Sequence, residues 1–229
     1  TIYGLDKAKT LGIETLIGFD GNYEIGKGNR IKKNRQEQLD VALFASAEKQ
    51  LTSFALLRGG LRYAYNSAFE SPLLYSLQTK FTLPHSQIIK LAYGKGFRAP
   101  SLKELYLDFN DINHEVFGDS TLMSETSHSF TASYTNYYRA GKVEMSTTID
   151  GFYNNIENKI ELIVTGPIQA QYGNIGKYQT VGGDINQKIV YNDLGLNASF
   201  NYTGVYNGVE GSKKEFFFSP QVVLNPTYM

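Results

Sequence analysis

Apolar and polar residues alternate at period two along most of this chain, the signal of strands whose two faces meet different surroundings. Between 127 and 137, Phe130, Ala132 and Tyr134 share one face, and Ser127, Ser129, Thr131, Ser133 and Thr135 the other. Between 142 and 153, Val143, Met145, Thr147, Ile149 and Tyr153 oppose Lys142, Glu144, Ser146, Thr148 and Asp150. From 194 to 206, Leu194, Leu196, Ala198, Phe200 and Tyr202 oppose Asn197, Ser199, Asn201 and Thr203. Similar segments at 11–21, 37–47, 51–65, 73–83, 87–96, 174–190 and 216–224 bring the expectation to about ten strands. Arg58 and Arg62 fall on the polar face of 51–65. The 174–190 segment fits least, because Gln187 shares a face with Val181, Ile185 and Ile189, and Gly182-Gly183 there predicts a bulge.

The connections alternate in length. Short links are expected near Glu48-Lys49, Pro84-His85, Arg139-Ala140-Gly141 and Asn192-Asp193, and long ones over 22–35, 66–72, 98–124, 154–171 and 207–215. This predicts an antiparallel up-and-down meander with tight turns at one end and loops at the other. Most segments reach the ~9–11 residues that cross a bilayer when tilted. The polar face then lines a lumen and the apolar face meets lipid, because a Lys or Arg at mid-bilayer on the lipid face costs about 2–4 kcal/mol. The competing reading is a soluble β adhesion or carbohydrate-binding module, whose strands run to ~5–6 residues and bury their apolar faces against each other.

Composition narrows the choice. Tyr (17) and Phe (14) are abundant and Pro (6) is scarce, as strands favour. Lys+Arg and Asp+Glu balance at 22 each, so no net field draws nucleic acid. With no cysteine, disulfides, thiolate metal sites and a Cys nucleophile are excluded. No apolar run reaches the roughly 18 residues of a transmembrane helix. Residues 1–20 lack the basic-then-apolar pattern of a signal peptide, and a start at Thr1 and an end at Met229 predict a fragment of a longer chain.

Three blocks carry a family resemblance, which spans about Ala55 to Asn225. They are Gly60-Leu61-Arg62-Tyr63-Ala64-Tyr65-Asn66-Ser67, then Tyr93-Gly94-Lys95-Gly96-Phe97-Arg98-Ala99-Pro100-Ser101-Leu102-Lys103-Glu104-Leu105-Tyr106, and Tyr172-Gly173-Asn174-Ile175-Gly176-Lys177-Tyr178-Gln179-Thr180-Val181-Gly182-Gly183-Asp184. In these the chain resembles TonB-dependent receptors of the bacterial outer membrane. The resemblance implies an all-β transmembrane barrel of about 22 strands closed by a plug. Residues 1–229 would be its C-terminal part, holding about ten of the strands and no plug. It further implies active uptake of a scarce nutrient rather than catalysis. The energy-coupling TonB complex would be engaged through an N-terminal region not in this chain, and the wall would contact outer-membrane lipid. Haem ranks first among substrates, ahead of siderophore-iron and cobalamin, and no resident cofactor is required.

The resemblance also points to ligand residues. In the haem-receptor branch, a histidine between a Phe-Arg-Ala-Pro box and a later Asn-Pro box ligates haem; here Phe97, Arg98, Ala99 and Pro100 form the first box and His114 lies in the matching interval. The second box departs from the pattern, since Gly118-Asp119-Ser120-Thr121-Leu122 lacks its proline. Tyr106 is a second candidate, because tyrosine also ligates haem iron. Two other patterns carry less. Gly94-Lys95-Gly96-Phe97-Arg98-Ala99 matches a dinucleotide fingerprint but lacks the βαβ setting it requires. Glu104, Asp108, Asp111, Glu115 and Asp119 place carboxylates in one loop without EF-hand spacing. A barrel enzyme would need Ser, Asp and His to converge on one rim. The three histidines, His85, His114 and His128, are widely spaced and suggest no triad.

Overall fold

The computed structural model describes residues 3–4, 8–10, 12–208 and 215–228, with side chains from residue 12 onward. Its strands are β1 (Tyr3–Gly4), β2 (Ala8–Thr10), β3 (Ile13–Lys27), β4 (Arg35–Gln50), β5 (Ala55–Asn66), β6 (Leu74–Leu83), β7 (Gln87–Arg98), β8 (Asp108–Asn110), β9 (Glu115–Phe117), β10 (Glu125–Ala140), β11 (Val143–Val164), β12 (Gln169–Tyr191), β13 (Leu194–Gly208) and β14 (Phe217–Tyr228), with one helical turn, α1 (Leu102–Tyr106). They form a single sheet in the order β1-β3-β4-β5-β6-β7-β10-β11-β12-β13-β14, with β2 beside β3 and the β8–β9 hairpin attached to β12. The ten long strands are those expected from the period-two pattern, and every pairing between sequential neighbours is antiparallel.

Register shows which face is which. Leu77, Tyr93, Phe130, Tyr153 and Val181 stand opposite one another across β6, β7, β10, β11 and β12. On the same face, Leu43 and Tyr63 are each 64% exposed. Large apolar side chains thus cover a broad outer face with no second sheet against it among the described residues, which is at odds with a sandwich and is the surface a lipid bilayer buries. Among outward residues, Lys27, Glu37, Lys49 and Lys95 fall toward strand ends, and Glu157 and Lys177 pair with each other at the level where β10 begins and β13 ends, away from the costly mid-bilayer zone.

The opposite face is polar. Arg62 Nη2 donates to Asp20 Oδ1 at 2.9 Å, the pair reaching across β4 over buried Ala42. Lys80, Lys90, Ser133, Asp150 and Asp184 follow one register row along the same face. Gln187, the misfit of 174–190, is outward, and Thr147 directly across donates its hydroxyl to Gln187 Oε1 at 2.5 Å. Two polar groups facing lipid thereby satisfy each other.

Four sequence expectations need correction. Glu48-Lys49 is not a turn: β4 runs on to Gln50, Glu48 meets Arg58 at 3.6 Å, and the turn closes where Leu51 N–H donates to Ala55 C=O at 2.8 Å. The 22–35 loop shortens because β3 continues to Lys27 and β4 begins at Arg35. The 154–171 loop is largely strand, since β11 reaches Val164 and β12 begins at Gln169. Gly182-Gly183 is not a bulge, because β12 keeps unbroken register there with both β11 and β13. Those glycines permit close approach instead: a Cβ at Gly182 would lie 2.6 Å from Tyr202 O, and one at Gly183 2.6 Å from Asp150 O. The expected 207–215 loop lies mostly outside the described residues.

Candidate functional site

The segment between β7 and β10 is the longest connection, at the end where the other long loops lie. Its first turn is set locally. Ser101 caps α1, and Glu104 returns the bond in the Ser-x-x-Glu capping box: Glu104 N–H donates to Ser101 Oγ (3.3 Å) while Ser101 N–H donates to Glu104 Oε2 (2.8 Å). The Phe-Arg-Ala-Pro box then ties this turn to the wall. Arg98 donates from Nε and Nη2 to both oxygens of Glu125, at 2.9 and 2.6 Å, and from Nη1 to Glu104 Oε2 at 2.9 Å. Glu125 also accepts Ile160 N–H at 2.7 Å, so one guanidinium joins β7, α1, β10 and β11. Burial raises the Glu104 carboxyl, but the Arg98 guanidinium and the Ser101 backbone and hydroxyl outweigh it and hold it below its ordinary value.

Packing completes the frame. Pro100 is fully buried, and Leu105, Leu122 and Ile160 form a small core against which Tyr106, Phe69 and Tyr172 lean. Gly118 fits because a Cβ there would come within 2.7 Å of the backbone at Leu105, Tyr106 and Leu107.

The loop is fastened on both sides. Toward β3–β4, Lys32 N–H donates to Tyr106 C=O (2.9 Å), Asp108 N–H to Arg30 C=O (2.9 Å), and Lys32 Nζ to Gly118 C=O (3.0 Å). Toward β11–β12, β9 pairs in parallel with β12, Glu115 N–H donates to Ile168 C=O (2.8 Å), and Asn174 exchanges hydrogen bonds with the Met123 backbone at 2.8 and 3.0 Å. Asn174 belongs to the third sequence block, which therefore serves the loop as well as the wall.

His114 sits at the tip of the β8–β9 hairpin, its side chain 74% exposed and its Nδ1 3.9 Å from Asp111 Oδ1. Asp111 shapes this tip by accepting the N–H groups of Asn113 and His114, both at 2.8 Å, and these bonds lower its carboxyl below the usual range. Tyr106 is half-buried in the small core, Phe97 and Ala99 are partly covered at the end of β7, and Arg98 is engaged by two carboxylates. The structure does not bring the two candidate ligands together: among the described residues His114 lies at the hairpin tip and Tyr106 against the small core at the base of the loop. His85 occupies the β6–β7 turn at φ 60°, and His128 faces outward, its Nδ1 2.7 Å from the Tyr93 hydroxyl.

Among the described residues no three His, Asp or Glu side chains converge to hold a metal ion. Sequence reasoning missed Ile112, which is 94% exposed at the same hairpin tip as His114. It also missed Glu125 as partner of Arg98. The Ser101–Glu104 spacing was readable as a capping box, whereas Glu125 is joined to Arg98 only by strand pairing.

A wall with an apolar exterior, a charged interior and long loops at one end defines an outer-membrane β-barrel. The chain belongs to the TonB dependent receptor-like, beta-barrel family, whose model matches residues 3–226; this is a family of outer-membrane transport receptors rather than enzymes. The fold is similar to the siderophore receptor PirA from Pseudomonas aeruginosa, at TM-score 0.72 and 19% identity over 97% of this chain and 45% of that one. It is also similar to the Serratia marcescens hemophore receptor HasR, solved with its hemophore HasA and heme, at TM-score 0.66 and 15% identity over 89% of this chain and 40% of that one. Hemoglobin and hemoglobin-haptoglobin-binding protein C of Haemophilus influenzae is 28% identical over 90 residues, 39% of this chain and 8% of that protein. The chain thus spans less than half the length of these structures, and its match covers a small part of the curated relative.

Proposed function

We propose that the intact protein is a receptor for uptake of haem or another iron complex, with this chain supplying part of the barrel wall and a ligand-facing loop. The observation that carries the reading is the placement of His114: an exposed imidazole on a hairpin tip that is fastened on both flanks. An imidazole so presented can supply an axial nitrogen to haem iron, the iron complex being cargo. Phe97, Arg98, Ala99 and Pro100 act on the ligand through the loop they position, and Tyr106 lies at its base. The names of the Haemophilus relative and of HasR, which refer to hemoglobin and to heme, support haem over cobalamin. Energy for transport comes from the TonB complex, engaged through a part of the receptor outside this chain.

The test is a Soret titration of the intact receptor. His114→Ala should weaken haem binding by about tenfold or more, the scale of losing one ligand-directed contact. Unchanged affinity and an unchanged spectrum would refute the haem assignment. Retained uptake of a ferric siderophore by that variant would then favour the siderophore reading.

A further inference from the structure

Besides the loop, the outer wall carries two apolar furrows. The larger, about 780 Å³, crosses β3 to β6. Its floor is Ala45, Ala47 and Gly59, where small side chains leave a depression between Ile17, Leu61 and Leu77, each at least half exposed. The second, about 510 Å³, lies over Ala132 and Gly151 between Tyr93, Phe130 and Tyr153. In the membrane both depressions meet hydrocarbon, but they differ in charge. Lys49 lines the first, and no charged residue lines the second.

We propose that the larger furrow is a binding site for an anionic glycerophospholipid of the periplasmic leaflet, its acyl chain along Ala45, Ala47 and Gly59 and its phosphate at Lys49. Position selects the leaflet: Lys49 lies one residue before the end of β4, at the short-turn side of the wall, opposite the long loops. Charge selects the headgroup. Lys49 is exposed and faces outward, it has no carboxylate partner among the described residues, and the neighbouring Glu48 points to the lumen and is taken by Arg58. An ammonium at the headgroup level attracts a lipid phosphate, and the furrow above it takes the tail of the same molecule, so the two contacts reinforce each other.

The experiment is native mass spectrometry of the intact receptor, released from detergent with added phosphatidylglycerol or phosphatidylethanolamine. The parent protein should retain phosphatidylglycerol preferentially. Lys49→Gln should lower that retention about fivefold, the weight of one Lys beside an anionic headgroup. Ala47→Phe, which fills the furrow, should do the same, whereas Ala132→Phe, which fills the uncharged furrow, should leave it unchanged. Equal retention in the parent and Lys49→Gln overturns the proposal, as does equal loss in Ala47→Phe and Ala132→Phe. Heat-modifiable migration on gels checks that each variant is a folded barrel.

Discussion

Replacing Arg98 with alanine removes the hub that joins the β7–β10 loop to the wall. The guanidinium makes paired hydrogen bonds to Glu125, at 2.9 and 2.6 Å, and to Glu104, at 2.9 and 3.1 Å. A hydrogen bond to a charged group contributes about 1.5–3 kcal/mol, but these share one side chain and are not additive. Arg98 is 42% exposed while Glu104 and Glu125 are 15% and 13% exposed, so solvent screens the cation more than the carboxylates it leaves behind. A local destabilisation of about 2 kcal/mol follows, equivalent to about 30-fold faster amide exchange through local opening. The assay is hydrogen exchange on the intact receptor in detergent, read over residues 99–124 against strand peptides. Arg98→Lys keeps the charge but loses the planar fork, and should fall between parent and alanine. Unchanged exchange across 99–124 in Arg98→Ala would refute the hub, as would equal acceleration in the strands.

Three further outcomes follow from the same geometry. Gly118→Ala, whose methyl would meet the backbone of Leu105 to Leu107, should destabilise the loop by about 1–3 kcal/mol and show as protease sensitivity between β7 and β10 with no change in barrel melting. Thr147→Val alone leaves the Gln187 amide oxygen facing lipid without its donor, costing about 1–2 kcal/mol in urea unfolding, whereas Thr147→Val with Gln187→Leu should recover the parent stability. The loop should also loosen in acid. Glu104 titrates below its ordinary 4.5, so its contribution is complete above that pH and is lost as pH falls through the lowered value. The protection factor over 99–124, corrected for the intrinsic pH dependence of amide exchange, should therefore be highest at about pH 6 and fall as pH drops below the ordinary 4.5, with an unchanged factor counting against the ion pair.

The wall was legible because a membrane strand shows different chemistry on its two faces, and period two records that contrast. Where the faces become alike, the signal stops although the strand continues. In 154–164, Asn154, Asn155, Glu157, Asn158 and Lys159 put polar groups on both sides, so β11 looked like a loop while its backbone bonds to β12 ran on to Val164. The misread turn at Glu48 has the same origin, since a charged residue near a strand end resembles a turn until its cross-strand partner Arg58 is seen. Within the site, α1 was readable from Ser101 and Glu104. The fastening of the loop was not, because Ile31 beside Leu107 and Asn174 beside Met123 are distant in sequence and carry no local pattern.

The double anchorage of the β8–β9 hairpin has a mechanical consequence. A flap hung from one edge swings freely, but a beam held at both ends passes load between its supports. A molecule pressing on His114 or Ile112 displaces a segment bonded to Arg30 and Lys32 on one flank and to Ile168 and Asn174 on the other. A load applied at the tip is thus shared by two hairpins separated in the sheet by β5, β6, β7 and β10.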